Sequence, residues 1–83
     1  MIYSVILASC GNPDHGENPH EPFGDALYEK VYTASIEECR CRVLQYIIEH
    51  DLGSGNWCGG QVYDGMGNCI GRIAYNGNFI EEV

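Results

Sequence analysis

The sequence predicts an α+β fold in which one antiparallel sheet carries a single helix packed on one face. Three observations lead to this prediction. An amphipathic helical pattern interrupts a series of β-rich segments, an Asn-Gly turn joins the last two, and 83 residues suffice for a single domain, 1–83. The predicted order along the chain is β-β-α-β-β-β. Because a domain near this size buries only about 60% of its unfolded surface, the core is expected to be small.

The first strand is predicted over residues 2–9, where IYSVILAS is apolar on both faces and is therefore expected near the centre of the sheet. Residues 10–25 hold three prolines and three glycines, which predicts a long loop. A loop of this length in a small domain is either functional or mobile. The second strand is predicted over 26–34, antiparallel to the first, with Tyr28, Lys30 and Tyr32 on one face.

The helix is predicted over residues 36–52. Ser35 and Glu38 form a capping-box pattern at its start, and Gly53 is expected to take the left-handed conformation that ends it. The apolar positions recur at helical spacing and are expected to face the sheet: Cys39, Val43, Leu44, Ile47 and Ile48.

The last three strands are predicted over residues 56–64, 69–75 and 78–83. Asn76-Gly77 predicts a type I′ hairpin turn between the last two. The stretch DGMGNCIG, Asp64 to Gly71, has glycines spaced as in some phosphate-binding loops. Such a loop must open a helix, whereas the residues after Cys69 are β-branched and alternating, so the stretch is interpreted as a hairpin turn.

The charge balance favours some functions over others. Twelve acidic and four basic side chains give a net charge of −8, and residues 1–25 contain no lysine or arginine. Nucleic-acid binding depends on basic side chains that displace counterions, so direct binding is not expected. A basic protein partner suits the charge better, although the acidity could equally serve only solubility. The longest apolar runs are too short to span a membrane, so a membrane role is not expected either.

The cysteines and histidines offer a candidate chemical site. Cys10, His15 and His20 share one loop and are ligand types that zinc accepts, but their spacing matches no compact finger. Cys10 beside a histidine could form a nucleophilic pair, but the chain is too small to build a usual substrate pocket as well, so no enzyme and no cofactor are predicted. Five cysteines, an odd number, indicate reduced thiols rather than a disulfide framework.

The N-terminal segment predicts a cytoplasmic location, which would be the host cytoplasm for a viral protein. LASC, residues 7–10, matches a lipoprotein cleavage motif, but six residues without lysine or arginine precede it. A signal peptide needs a basic start and a longer apolar segment.

The face of the sheet opposite the helix is a candidate interaction surface. Tyr28 and Tyr32 are expected there, and exposed tyrosines suit a protein interface because they lose little entropy on binding. The alternative is that the long loop partly buries both rings.

A long-looped hairpin, the passage VYTASIEECRCRVLQYI and a C-terminal meander containing YNG cover nearly the whole chain. In size and architecture the protein resembles small acidic proteins of phages and mobile elements, including anti-CRISPR proteins that inhibit type I interference complexes. The resemblance implies a non-enzymatic inhibitor that covers a basic, nucleic-acid-binding surface of a CRISPR effector complex or another protein, with its acidity imitating DNA.

From the charge pattern, the expected contact residues are acids of the loop and tail with tyrosine anchors: Asp14, Glu17, Glu21, Asp25, Glu81, Glu82, Tyr28 and Tyr32. The alternative function is a small metal- or redox-responsive protein that uses Cys10, His15 and His20. A third interpretation is a domain that pairs with itself or a neighbour through the open sheet face.

Overall fold

The fold is a five-stranded antiparallel sheet with one α-helix, seen in a computed structural model that describes residues 2–82. The helix α1 spans Ile36–Glu49, and the strands are β1 Tyr3–Leu7, β2 Glu29–Thr33, β3 Gln61–Tyr63, β4 Cys69–Ile73 and β5 Phe79–Glu81. The strand order is β2-β1-β3-β4-β5, and α1 lies between β2 and β3 in sequence. The predicted α+β class and the order β-β-α-β-β-β are confirmed.

The core lies between the helix and one face of the sheet. Val5 of the central strand is paired with Val31 on one side and Val62 on the other, and all three are buried. Val43 and Ile47 of α1 pack against this row. β1 has hydrogen-bonded neighbours on both sides, as its apolar sequence predicted.

Each strand is shorter than the sequence predicted. The segment predicted over 26–34 starts at Glu29, because the Leu27 carbonyl accepts a hydrogen bond from the Tyr46 hydroxyl at 2.8 Å instead of entering the ladder. In the segment predicted over 56–64, regular strand structure is confined to Gln61–Tyr63 and an isolated bridge at Trp57. Gly60 separates the two with a φ of +99°, although its N–H and carbonyl are hydrogen-bonded to Ile6 and Ile73. The predicted last strand ends at Glu81, and Val83 lies outside the described residues.

The helix starts as predicted and ends differently. The Ser35 hydroxyl accepts from the Glu38 backbone N–H at 3.1 Å, and the Glu38 carboxylate accepts from the Ala34 N–H. The prediction that Gly53 ends the helix is wrong, because Asp51 takes the left-handed conformation with a φ of +52°. The Leu52 N–H then bonds to the Ile47 carbonyl, which closes a Schellman motif and buries Leu52.

The buried face of α1 also differs from the prediction in part. Cys39, Val43 and Ile47 are buried as expected, but Leu44 is 37% exposed and Ile48 is 78% exposed. Tyr46 takes part in the core instead, because its hydroxyl finds the Leu27 carbonyl and its ring can therefore be buried without an unpaired polar group.

Both C-terminal hairpins have the same turn. The N–H groups of Gly67 and Gly77 donate to the carbonyls three residues before them, and both glycines have a φ of +87°. This is a type I turn followed by a glycine bulge. The hairpin prediction for DGMGNCIG is confirmed, whereas the type I′ turn predicted at Asn76-Gly77 is wrong, since Gly77 but not Asn76 has a positive φ.

Candidate interaction surface

The loop of residues 10–25 is tied to the body of the protein at both ends. Near its start, the Gly11 N–H donates to the Glu21 carbonyl at 3.0 Å, which closes the loop on itself. Near its end, the Ser9 hydroxyl donates to the Ala26 carbonyl at 2.5 Å and accepts from the Phe23 N–H at 2.9 Å. These hydrogen bonds join the two ends of the loop and hold its C-terminal end against Ser9, two residues after β1.

Asn56 and Glu17 hold the middle of the loop. The amide of the buried Asn56 donates to the Cys10 carbonyl at 3.0 Å and to the Glu17 carboxylate at 3.1 Å. The same carboxylate accepts from the Asn12 N–H at 2.8 Å. These hydrogen bonds, first that of Asn12 and then that of Asn56, lower the pKa of Glu17, because they stabilise its charged form. Glu17 is therefore a structural carboxylate within the predicted acidic site.

The loop acids meet further acids at one end of the sheet. β1 runs into the loop, β2 starts opposite Leu7, and His50 at the end of α1 lies 3.3 Å from the Asp25 carboxylate. Glu29 and Glu49 line one cleft at this end. We call these residues the acidic end: Asp14, Glu17, Glu21, Asp25, Glu29, Glu49 and Asp51. The sequence had pointed to the first four, and the last three come from elements that only the fold brings beside them.

The structure separates Glu81, Glu82 and Tyr32 from the acidic end, whereas Tyr28 adjoins it. β5 runs antiparallel to β1, so Glu81 and Glu82 lie at the opposite end of the sheet and beside a different edge. Tyr28 comes directly before β2, next to Glu29, whereas Tyr32 lies further along the open face. Both tyrosines are 68% exposed, so the loop does not bury their rings.

The open face of the sheet has a different chemistry from the acidic end. Lys30 lies over two tyrosine rings, 5.8 Å from the centre of Tyr32 and 5.4 Å from that of Tyr63. The three side chains border a shallow groove of about 590 Å³. Tyr63 was missed from sequence because the groove depends on the pairing of β1 with both β2 and β3.

Strand alternation sorts the charges between the two faces. The buried Val31 and Ile73 fix which residues of β2 and β4 point to the helix. By the same alternation Lys30 and Arg72 project on the open face, while Glu29 and Glu81 project on the helix side. The paired strand residues thus give the open face two positive charges and no carboxylate, while Asp64, directly after β3, adds one carboxylate to the rim of its groove.

The candidate metal ligands do not form a cluster. Cys10 starts the loop, His15 ends a short 3₁₀ turn, Pro13–His15, and the His20 N–H is bound by the Asn18 side chain. Among residues 2–82, no three histidine, cysteine, aspartate or glutamate side chains are placed to share a metal ion. The Cys10 sulfur lies 4.0 Å from the Gly55 carbonyl oxygen, away from both histidines in sequence.

The stretch DGMGNCIG uses its own polar groups in the turn. One carboxylate oxygen of Asp64 accepts from the N–H groups of Met66 and Asn68, at 2.9 and 3.0 Å. The hydrogen bonds from backbone and side chain of this turn, with that of Asn68 foremost, lower the pKa of Asp64. The N–H groups that a phosphate would need are therefore already bound.

Fold and surface together define a small α+β protein with an acidic end and an aromatic, basic open face. Comparison with protein-family models, with curated proteins and with solved structures finds no match to this chain. No helix among the described residues has the length and apolar character needed to cross a membrane.

Proposed function

We propose that this protein is a non-enzymatic binding protein that occupies a basic, nucleic-acid-binding surface of a partner protein or complex. The acidic end is the proposed contact surface. The observation that carries the proposal is the gathering of seven of the chain's 12 carboxylates at one end of the sheet, around an ordered loop. The resemblance to anti-CRISPR proteins makes a CRISPR interference complex the first partner to test.

Electrostatics would guide this interaction. Opposite charges accelerate association and disfavour wrong partners, so a group of carboxylates favours a partner surface rich in lysine and arginine. Asp14 and Glu21 are exposed, and neither carboxylate forms a salt bridge within the described residues. They are therefore the loop carboxylates best placed to meet basic side chains of the partner.

The ordered loop would lower the cost of binding. Fixing a flexible loop in a complex costs conformational entropy, and a loop that is already held in place avoids much of that cost. Asn56 and Glu17 hold this loop in the free protein. Glu17 thus contributes to the proposed interface through the shape of the loop.

The test is competition with target duplex DNA for a purified type I CRISPR interference complex. The wild-type protein is expected to displace the DNA, and the effect should weaken between about 50 and 200 mM salt. The double variant Asp14→Asn/Glu21→Gln should lose roughly tenfold in potency, because rim charges mainly change the association rate. The matched control, Glu81→Gln/Glu82→Gln, removes the same net charge from the opposite end.

Three results would contradict the proposal. Competition that does not change with salt would show that charge does not guide binding. Equal losses in the two double variants would show that net charge, and not the acidic end, is what matters. An absence of any competition would remove this class of partner.

Tyr28 and Tyr32 give a second comparison in the same assay. Both rings are equally exposed, but Tyr28 adjoins the acidic end while Tyr32 lies beside Lys30 on the open face. Tyr28→Ala is expected to weaken competition by about tenfold or more, and Tyr32→Ala by much less. The reverse order would place the interface on the open face.

A further inference from the structure

The strand β2 lies at one edge of the sheet, and its outer side has no strand neighbour. The order β2-β1-β3-β4-β5 gives β2 a partner only on the side of β1. In an antiparallel sheet, successive residues direct their N–H and C=O groups to alternate sides, so an edge strand leaves the groups of every second residue unpaired. We call this outer side of β2 the free edge.

The pairing of β1 shows which backbone groups lie along the free edge. Ile6 is opposite Lys30, and the Ile6 carbonyl accepts from the Gly60 N–H on the β3 side of β1. The backbone groups of Ile6 therefore point away from β2, and those of Lys30 point away from β1. By alternation the groups of Tyr32 also point outward, whereas Val31 between them bonds to β1. Both outward residues are exposed, and no loop backbone among residues 2–82 bonds to them.

The charged side chains of β2 leave the free edge open. A lysine on an edge strand commonly projects into solvent and keeps other strands away. The Lys30 ammonium instead lies 5.4 Å from the centre of the Tyr63 ring, and Tyr63 belongs to β3, two strands inward from the edge. Glu29 is turned to the helix side, where it lines a cleft with Arg42. Both charges are thus directed over the faces of the sheet.

We propose that the free edge of β2 pairs with the free edge of a second copy of this chain, antiparallel and about a two-fold axis through Val31. Lys30 is then opposite Tyr32 of the second copy, and Tyr32 is opposite Lys30 of the second copy. Each of these two pairs exchanges both of its backbone hydrogen bonds. The sheets of the two copies become one continuous sheet, and the same surface serves on both sides of the interface.

This register is the one in which all the outward groups are used without a clash of charge. A shift that sets Lys30 opposite Lys30 of the second copy would place like charges directly across from each other, which is destabilising. The opposite shift sets Lys30 opposite Ala34 of the second copy. The Ala34 N–H is already bound by the Glu38 carboxylate at 3.2 Å, so that pair would lack a donor.

The antiparallel arrangement also keeps the two acidic ends apart. β2 begins beside the acidic end at Glu29 and runs away from it to Thr33. In the proposed register Glu29 is opposite Thr33 of the second copy, so the acidic ends of the two copies lie at opposite ends of the joint. The other edge strand, β5, has three residues and is followed by Glu82, so it offers fewer backbone groups and more negative charge.

The first test is sedimentation velocity of the purified protein with a reductant, which prevents disulfide dimers through the exposed Cys41, Cys58 and Cys69. The mass is expected to rise from that of one chain to that of two between about 1 µM and 1 mM protein. Added salt should favour the dimer, because it screens the repulsion between two chains of net charge −8.

Two variants at one position isolate the backbone groups of the free edge. Tyr32→Ala and Tyr32→Pro both remove the ring, but only proline lacks the outward N–H, and its loss leaves the hydrogen bonds to β1 intact. By symmetry two intermolecular hydrogen bonds disappear. Tyr32→Pro is therefore expected to dimerise about 30-fold more weakly than Tyr32→Ala.

Amide hydrogen exchange of the wild-type protein, followed by NMR, tests the register without a variant. The Lys30 and Tyr32 amides should exchange rapidly in dilute solution and about tenfold or more slowly at high protein concentration. The Val31 amide should be protected at both concentrations, because it bonds to β1.

A protein that stays monomeric over this range would overturn the proposal and leave the free edge to a strand of a different protein. Equal dimerisation of the two Tyr32 variants would also overturn it. A dimer whose Lys30 and Tyr32 amides still exchange rapidly would show that the copies meet elsewhere. These measurements need the purified protein alone, so their outcome is independent of whether the acidic end binds a basic partner.

Discussion

Replacing Asn56 tests whether the acidic loop depends on one buried amide. The Asn56 side chain donates to the Cys10 carbonyl and the Glu17 carboxylate and accepts from the Gly53 N–H at 3.2 Å. Asn56→Ala removes these three hydrogen bonds together. The Glu17 carboxylate and the Cys10 carbonyl would then lose this hydrogen-bond donor at a buried position, since Asn56 is 6% exposed in the wild-type protein.

The expected cost follows from the number of bonds. A hydrogen bond contributes about 1 kcal/mol net to stability, so Asn56→Ala should lower the free energy of unfolding by about 3 kcal/mol. A domain of this length has a stability of roughly 4–12 kcal/mol. The melting temperature should fall by about 12–24 °C. Asn56→Asp should cost more at neutral pH, because its carboxylate would face the Glu17 carboxylate and the Cys10 carbonyl.

Urea unfolding at neutral pH measures these losses, and limited proteolysis reports on the loop itself. The matched control is Asn78→Ala, since Asn78 is exposed and only its backbone takes part in the second hairpin turn. The loop of Asn56→Ala should be cleaved faster between residues 10 and 25 than that of the control. Equal stability of the two alanine variants, or a loop equally resistant to protease, would refute the role of this amide.

Three further outcomes follow from local contacts. Hydrogen bonds lower the pKa of Glu17 in the folded state, so the ionised carboxylate stabilises the fold above the unfolded pKa of about 4.5, and this stabilisation is lost as pH falls through the folded pKa. Glu17→Gln should therefore make the free energy of unfolding, measured by urea at a series of acidic pH values, depend less on pH. An unchanged pH dependence would contradict this. Gly60→Ala should lower the free energy of unfolding by about 2 kcal/mol more than Gly67→Ala in the same assay. Both glycines have a positive φ, but only at Gly60 would the added methyl group meet a carbonyl oxygen, that of Ile73. Equal losses in the two variants would exclude that clash. Ser35→Ala should cost about 1 kcal/mol of unfolding free energy by removing the helix cap, with Ser35→Thr largely retaining it.

The sequence predicted the elements better than their ends. Hydrophobic periodicity identifies a helix or a strand because it reflects a repeating geometry. The end of an element depends on contacts made far along the chain. Asp51 and not Gly53 ends the helix because Leu52 reaches the core at that point, and β2 begins at Glu29 because Tyr46 binds the carbonyl of Leu27. Neither contact leaves a signal in the local sequence.

The candidate surface was only partly predictable for a similar reason. Four acids of the acidic end are close in sequence and could be grouped from composition alone. Glu29, Glu49 and Asp51 come from two other elements, and only the pairing of β1 with β2 and the direction of α1 bring them to the same end.

The separation of charges constrains how the proposed complex could be oriented. Lys30 and Arg72 are half of the chain's lysines and arginines, and both project on the open face. A groove rich in lysine and arginine would be repelled by that face and attracted by the acidic end, where the carboxylates outnumber Arg42.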